Sequence, residues 1–266
     1  MRKRIECISE VREIAFPDTW YKLASGDHFW FRWRFAAFLN QLRELRLPLV
    51  EERQLLEIGC GTGVLSSQLE AHSKWRVDGA DLNMAALAQH VETRGRLFYY
   101  DVLDQQEGLR ERYDGLLMFD ILEHVEEPTN FLSAALHHLK PGGHVFINVP
   151  ALPALFSNYD RAAGHLRRYD KALLDRDWQG LGASLLDLRY WGLSLVPVVT
   201  LRKLLVARLH SGSEVIRRGF SPRSKTLNDI ACQLMHLETV LLRRPPLGTS
   251  LLATLQKQVF RRAVGI

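Results

Sequence analysis

The sequence predicts an α/β fold built on a doubly wound, largely parallel sheet, and three observations carry that reading. The stretch Leu55-Leu56-Glu57-Ile58-Gly59-Cys60-Gly61-Thr62-Gly63 is an apolar run that ends in an acid and then in glycines at every second position, with Val64, Leu65 and Leu69 at helical spacing behind it. Strand-like and helix-like patterns then alternate through residue 190, as parallel sheets with crossover helices require. The next apolar run closes on Asp81, roughly 20 residues beyond the glycines, where nucleotide-binding sheets place a carboxylate for ribose hydroxyls.

The elements follow in order. Aromatics crowd residues 20–35, and a helical pattern continues through Phe38, Leu42 and Leu45 until Pro48 ends it. These aromatics either glue a helix to the core or, with Tyr21 and Trp30, cap a cofactor or substrate pocket. The strand that opens at Leu55 breaks at the glycine turn, because glycine accepts backbone angles other residues resist and lets a ligand approach the main chain. A second strand covers 75–81; Asp81 serves a ribose or caps the helix that begins near Asn83. Further strands are expected at 96–100, ending on Asp101, and at 113–119, followed by Asp120-Ile121-Leu122-Glu123-His124. A helix over 129–139 leads to a fifth strand at 144–149, a helix at 171–178 to a sixth at 184–190, and a last strand falls near 248–255. Residues 191–247 form an unusually long connection. Two amphipathic helices are expected there, near 193–209 and 227–242, the second burying Leu227, Ile230, Leu234, Leu237 and Leu241. Together they are expected to cover the substrate pocket, with a dimer contact as the alternative.

The spacing Glu57-x-Gly59-x-Gly61-x-Gly63 resembles the first motif of class I S-adenosylmethionine (SAM)-dependent methyltransferases. It departs from the dinucleotide fingerprint, which needs Gly or Ala where Val64 stands. Leu139-Lys140-Pro141-Gly142-Gly143 before an apolar strand is similar to the ubiquinone-biosynthesis type of these enzymes, and Gly164-His165-Leu166-Arg167-Arg168-Tyr169 resembles a stretch found in a subset of them. The resemblance is good over 53–150 and patchy beyond. It implies a Rossmann-like, seven-stranded sheet whose last strand is antiparallel, and a single domain over 1–266 with an N-terminal helical cap at 1–48 and a helical insertion at 191–247. SAM is the implied cofactor, held by Glu57, Gly59, Cys60, Gly61, Gly63, Asp81, Leu82, Asp101, Val102 and Phe119. His124 and His165 are candidate bases, since a histidine titrates near neutrality. Arg167, Arg168 and Tyr169 join Tyr21 and Trp30 as candidate substrate contacts, the arginines suiting an anionic or phenolic acceptor.

Composition narrows the function. With 47% hydrophobic residues a packed core is expected, and 35 bases among 30 acids, net +5, read as a mixed solvated surface. Nucleic acid is therefore an unlikely partner, and no Asn/Asp-Pro-Pro-aromatic stretch follows the fourth strand to suggest amino methylation of it. Three scattered cysteines give neither a disulfide framework nor a zinc spacing, so the reading includes no metal and a reducing cytoplasm. The basic opening lacks an apolar core behind it and does not read as a signal peptide. The expected activity is methyl transfer to a small molecule, oxygen first. A lipid or lipid-linked acceptor at a membrane surface, suggested by the apolar insertion, and a SAM-binding accessory protein without catalysis are the alternatives. Monomer and homodimer both stay open, as does peripheral membrane contact through the basic stretch 217–225.

Overall fold

The computed structural model describes residues 4–12, 28–206 and 225–259. Eight strands form one sheet in the order β1-β4-β3-β2-β5-β6-β8-β7. They are β1 (Ile5–Cys7), β2 (Gln54–Ile58), β3 (Arg76–Asp81), β4 (Leu97–Tyr99), β5 (Tyr113–Phe119), β6 (Leu139–Pro150), β7 (Ala183–Trp191) and β8 (Ser250–Lys257). All pairings are parallel except those of β8, which runs antiparallel to both neighbours. The seven expected strands are present. The additional one, β1, is a three-residue edge on β4, too short for any periodicity to announce it.

Eight helices lie among the described residues: α1 (Phe29–Glu44), α2 (Val64–His72), α3 (Met84–Leu87), α4 (Pro128–His137), α5 (Asn158–Ala162), α6 (Lys171–Trp178), α7 (Val196–Val206) and α8 (Lys225–Leu241). Both faces of the sheet are covered, because consecutive strand residues point to opposite sides and both sides are apolar. Leu56, Met118 and Ile147 pack on one face with Leu132 of α4 and Leu174 and Trp178 of α6. Their neighbours Leu55, Leu117 and Phe146 pack on the other with Phe38 and Leu42 of α1 and Leu65 and Leu69 of α2.

The order leaves β2 in the middle and reverses between β2 and β5, which opens a crevice at their carboxyl ends. Helix α1 runs beside that crevice, its first turn capped by His28, whose Nδ1 accepts from the Trp30 N–H at 3.2 Å. Among the described residues the insertion carries the two helices α7 and α8, but the register of α8 differs from the expected one. Met235, Glu238 and Thr239 are buried, while Leu234, Leu237 and Leu241 of the expected buried stripe are 54–69% exposed. Polar bonding decides this. Thr239 Oγ1 accepts from the Trp33 indole at 2.8 Å, and Glu238 accepts the N–H groups of Gly192, Leu193 and Ser194 at 2.8–3.1 Å, so the polar side of the helix faces inward.

Candidate active site

At the carboxyl ends of β2, β3 and β5 and the turn after β4 lies a cavity of about 400 Å³. Gly59, Gly61 and Gly63 all have positive φ, at 70°, 53° and 76°. A side chain is strained there, and a Cβ on Gly59 would stand 2.0 Å from Ile121 Cδ1. Gly59, Cys60 and Gly61 line the cavity; Gly63 sits behind it as the N-cap of α2, against His90. Glu57, also in the wall, accepts from both the backbone N–H and the hydroxyl of Ser66, fastening α2 to the turn. Burial pushes its carboxyl up to about 7.

Asp81 accepts the N–H of Gly61 at 2.7 Å and that of Asn83 at 2.7 Å, so the same carboxylate that faces the cavity sets the shape of the glycine turn. Burial raises its pKa. The capping role is taken by Asn83, whose side chain accepts from Ala86 N at 2.9 Å. Asp101 is held by its own N–H, which donates to Ser9 at 2.8 Å, and by Leu103 N, which donates to its carboxylate at 3.0 Å. Leu82, Asp101, Val102 and Phe119 complete this side of the wall.

The opposite wall is α1. Trp30 lines the cavity as expected, and with it Phe31 and Arg34. Tyr21 lies outside the described residues. Arg34, which sequence reasoning missed, is 6% exposed, and its guanidinium sits 4.9 Å from the Trp30 ring, 5.1 Å from Phe31 and 5.4 Å from Phe119. It donates to Asp120; Asp120 accepts from Asn148 at 2.7 Å, and Asn148 from the Trp191 indole at 2.8 Å. The Nε–H of Arg34 has no hydrogen-bond partner among the described residues. The alternating aromatic and basic letters of α1 hinted at such a cation, but only the packing shows which arginine turns inward.

His124 reaches the cavity. Its Nδ1 lies 3.0 Å from the Gly164 carbonyl, which can only accept, so Nδ1 carries the proton and Nε2 the lone pair. Burial, helped by the charge of His165, lowers its pKa to about 4. His165 does not line the cavity. Its ring is 4.9 Å from that of His124, with Nδ1 3.2 Å from Asp160 and Nε2 4.0 Å from Glu123. Glu123 is 1% exposed, and burial, reinforced by Asp120, pushes its carboxyl well above the usual range. Ligand-type atoms of Glu123, His124 and His165 all lie within 4.8 Å of one another, an arrangement the absence of metal spacing in the sequence did not anticipate.

The expected substrate contacts after β6 are corrected. Arg168 is 5% exposed and spends its donors on Asp160 at 2.7 Å and the Ala151 carbonyl at 3.0 Å. Tyr169 is fully buried, and its hydroxyl donates to the Leu122 carbonyl at 3.2 Å. Arg167 donates to the Glu126 carbonyl at 3.0 Å, away from the cavity. With Leu166 N donating to Glu123 O at 2.7 Å, this loop clamps the turn that carries His124. Among the described residues, none of 191–206 or 225–247 lines the cavity, and α8 packs against α1 on the side away from it; the rest of the expected cover, 207–224, lies outside the described residues.

Residues 30–189 match a family model described as a methyltransferase domain. The chain is 29% identical over 137 residues to the ubiquinone biosynthesis O-methyltransferase of Pseudomonas savastanoi pv. phaseolicola, covering 47% of this chain and 59% of that protein. The enzyme of that name from Hydrogenovibrio crunogenus is 30% identical over 122 residues, 41% of this chain and 50% of that one. The chain thus matches little more than half the length of these curated relatives. Its fold is shared by a chain of the complex between the Haloferax volcanii Trm112 methyltransferase activator and a methyltransferase, with TM-score 0.61 at 14% identity over 93% of this chain and 100% of that one. A SAM-dependent methyltransferase from Mesorhizobium loti superposes with TM-score 0.52 at 16% identity, over 83% and 98% of the two chains.

Proposed function

The chain belongs to the methyltransferase domain family, in its class I SAM-dependent form, and from that premise we propose that it methylates an oxygen of a small, largely apolar acceptor with His124 as the base. The observation that carries the reading is the cavity itself: a left-handed glycine turn and two strand-end carboxylates on one wall, aromatics and a buried arginine on the other, and a neutral histidine at the edge.

These residues fit SAM. Asp81 would take the ribose hydroxyls, Asp101 and Val102 the adenine, and the backbone of 59–61 the amino-acid part, whose carboxylate suits the Arg34 Nε–H. The faces of Trp30, Phe31 and Phe119 suit a sulfonium. When bound, SAM supplies an electrophilic methyl on a leaving thioether. The protein's part is alignment, exclusion of water and removal of one proton. With acceptor and SAM in place, Nε2 of His124 would take the acceptor's hydroxyl proton as its oxygen receives the methyl and the thioether leaves. The apolar wall favours an acceptor with an aromatic or aliphatic body, and the O-methyltransferase relatives support oxygen as the atom.

Calorimetry with SAM and its demethylated product tests the cofactor seat. Mass analysis of products from a panel of phenolic and aliphatic hydroxyl acceptors tests the chemistry. His124→Gln should lower kcat by about 10²–10⁴-fold with SAM affinity unchanged. Full activity in that variant would leave alignment alone to carry catalysis, and SAM binding without turnover on any acceptor class would favour an accessory protein.

A further inference from the structure

We propose that Asn148 is a positioning residue for the cofactor: through Asp120 it sets the Arg34 guanidinium that receives the amino-acid carboxylate of SAM. Asn148 is not among the cavity-lining residues, so it acts from behind the SAM seat proposed above, on which its role depends.

Asn148 is fully buried on β6, in register with Phe119 of β5 and Leu252 of β8. Its neighbours leave one orientation for its amide. The Trp191 indole can only donate, and it donates to Oδ1 at 2.8 Å, so the other end of the amide is the NH2 group that donates to Asp120 Oδ1 at 2.7 Å. The main-chain carbonyl of Asn148 accepts the Asp120 N–H at 2.8 Å. One residue thus grips Asp120 by both backbone and side chain. Asp120 needs that grip, because its φ of 60° lies in the left-handed region, which residues with a side chain seldom occupy and hold only where the surroundings over-determine it.

With Oδ1 of Asp120 taken by Asn148, Oδ2 is left to accept from Nη1 of Arg34. The rings of Trp30, Phe31 and Phe119 surround the guanidinium, but ring faces attract a cation without directing its N–H groups. The carboxylate directs them. Trp191 is held in its turn: it is 4% exposed, stands edge-on to Trp33 at 5.4 Å, and precedes Gly192, whose N–H donates to Glu238 of α8 at 3.1 Å. A line of contacts therefore runs from α8 through Trp191, Asn148 and Asp120 to the cation in the cavity wall. Without the Asn148 amide, Asp120 Oδ1 loses its side-chain donor, its carboxylate is free to turn, and Arg34 turns with it.

Calorimetry with two ligands that share the adenosine and the thioether tests this: S-adenosylhomocysteine carries the carboxylate, and 5′-methylthioadenosine lacks the amino-acid end. Asn148→Ala should weaken the first by about tenfold and change the second by less than about threefold. A loss for both alike makes Asn148 a structural residue only, and a loss for neither makes it idle; either result overturns the proposal. Trp191→Phe, which removes only the indole donor, should move the same affinity ratio in the same direction by about threefold, and it carries the test should Asn148→Ala not melt cooperatively. An unchanged ratio there overturns the proposal as well. In an Arg34→Gln background the Asn148 substitution should add nothing further for S-adenosylhomocysteine, since groups that act through one another are not additive; full additivity would detach Asn148 from Arg34. A wild type that binds neither ligand fails the SAM seat itself, whereas one that binds both and loses S-adenosylhomocysteine only in Arg34→Gln keeps the seat and removes Asn148 from it.

Discussion

Two regions at the carboxyl edge of the sheet carry the same kinds of side chain and use them oppositely. In the turns after β2 to β5, Asp81, Asp101 and His124 are braced by backbone groups and Asp120 by Arg34 and Asn148, and all four still face the cavity. In the loop after β6, Asp160 accepts from Ser157 N at 2.8 Å, Ser157 Oγ at 2.9 Å, Arg168 Nε at 2.7 Å and His165 Nδ1 at 3.2 Å, and nothing is left over for a ligand. Burial works against ionised Asp160, but its hydrogen bonds and the arginine hold the carboxyl at about 2. Charged residues in a loop thus say little until their partners are known. Cavity-facing ones share out part of their capacity to the fold; the others spend all of it, and here that spending holds the turn that presents His124.

The contrast can be broken at Asp160. Asp160→Ala strands Arg168 in the interior and should cost about 3–5 kcal/mol of stability by urea denaturation. A loss below about 1 kcal/mol would show that the loop is not the buttress described here. Asp81→Ala should instead act on binding, weakening SAM by about 1.5–3 kcal/mol in a titration while the protein still melts cooperatively. Undiminished affinity would reduce Asp81 to a brace for Gly61.

The smallest effect sharpens the comparison through pH. His124 is lowered from 6.5 in the unfolded chain to about 4, so its contribution is complete above pH 6.5 and is lost as pH falls toward 4. Between pH 7.5 and 5.5 this amounts to about 1 kcal/mol of stability. His124→Gln should remove that part of the acid-side decline, and an unchanged difference in melting temperature between the two pH values would place the histidine in water rather than in a desolvated wall.

What the sequence determined by itself is what short-range chemistry encodes. Alternating and helical periods laid out the strands and most helices, since each period commits a backbone to one set of faces. The glycine turn, Asp81 and Asp101 were legible because each acts within a few residues of its own strand end. Tertiary structure decided the rest. Arg34 enters the cavity because α1 docks with its aromatic side on the sheet and Asp120 receives the cation. Tyr169 turns from the cavity to the Leu122 carbonyl, and Arg168 to Asp160 and the Ala151 carbonyl, within the segment after β6. Helix α8 turns its leucines outward because Glu238 and Thr239 find backbone and indole partners on the inner side. In each case two faces of one element compete for burial, and the winner depends on polar partners from distant parts of the chain, which no local pattern records.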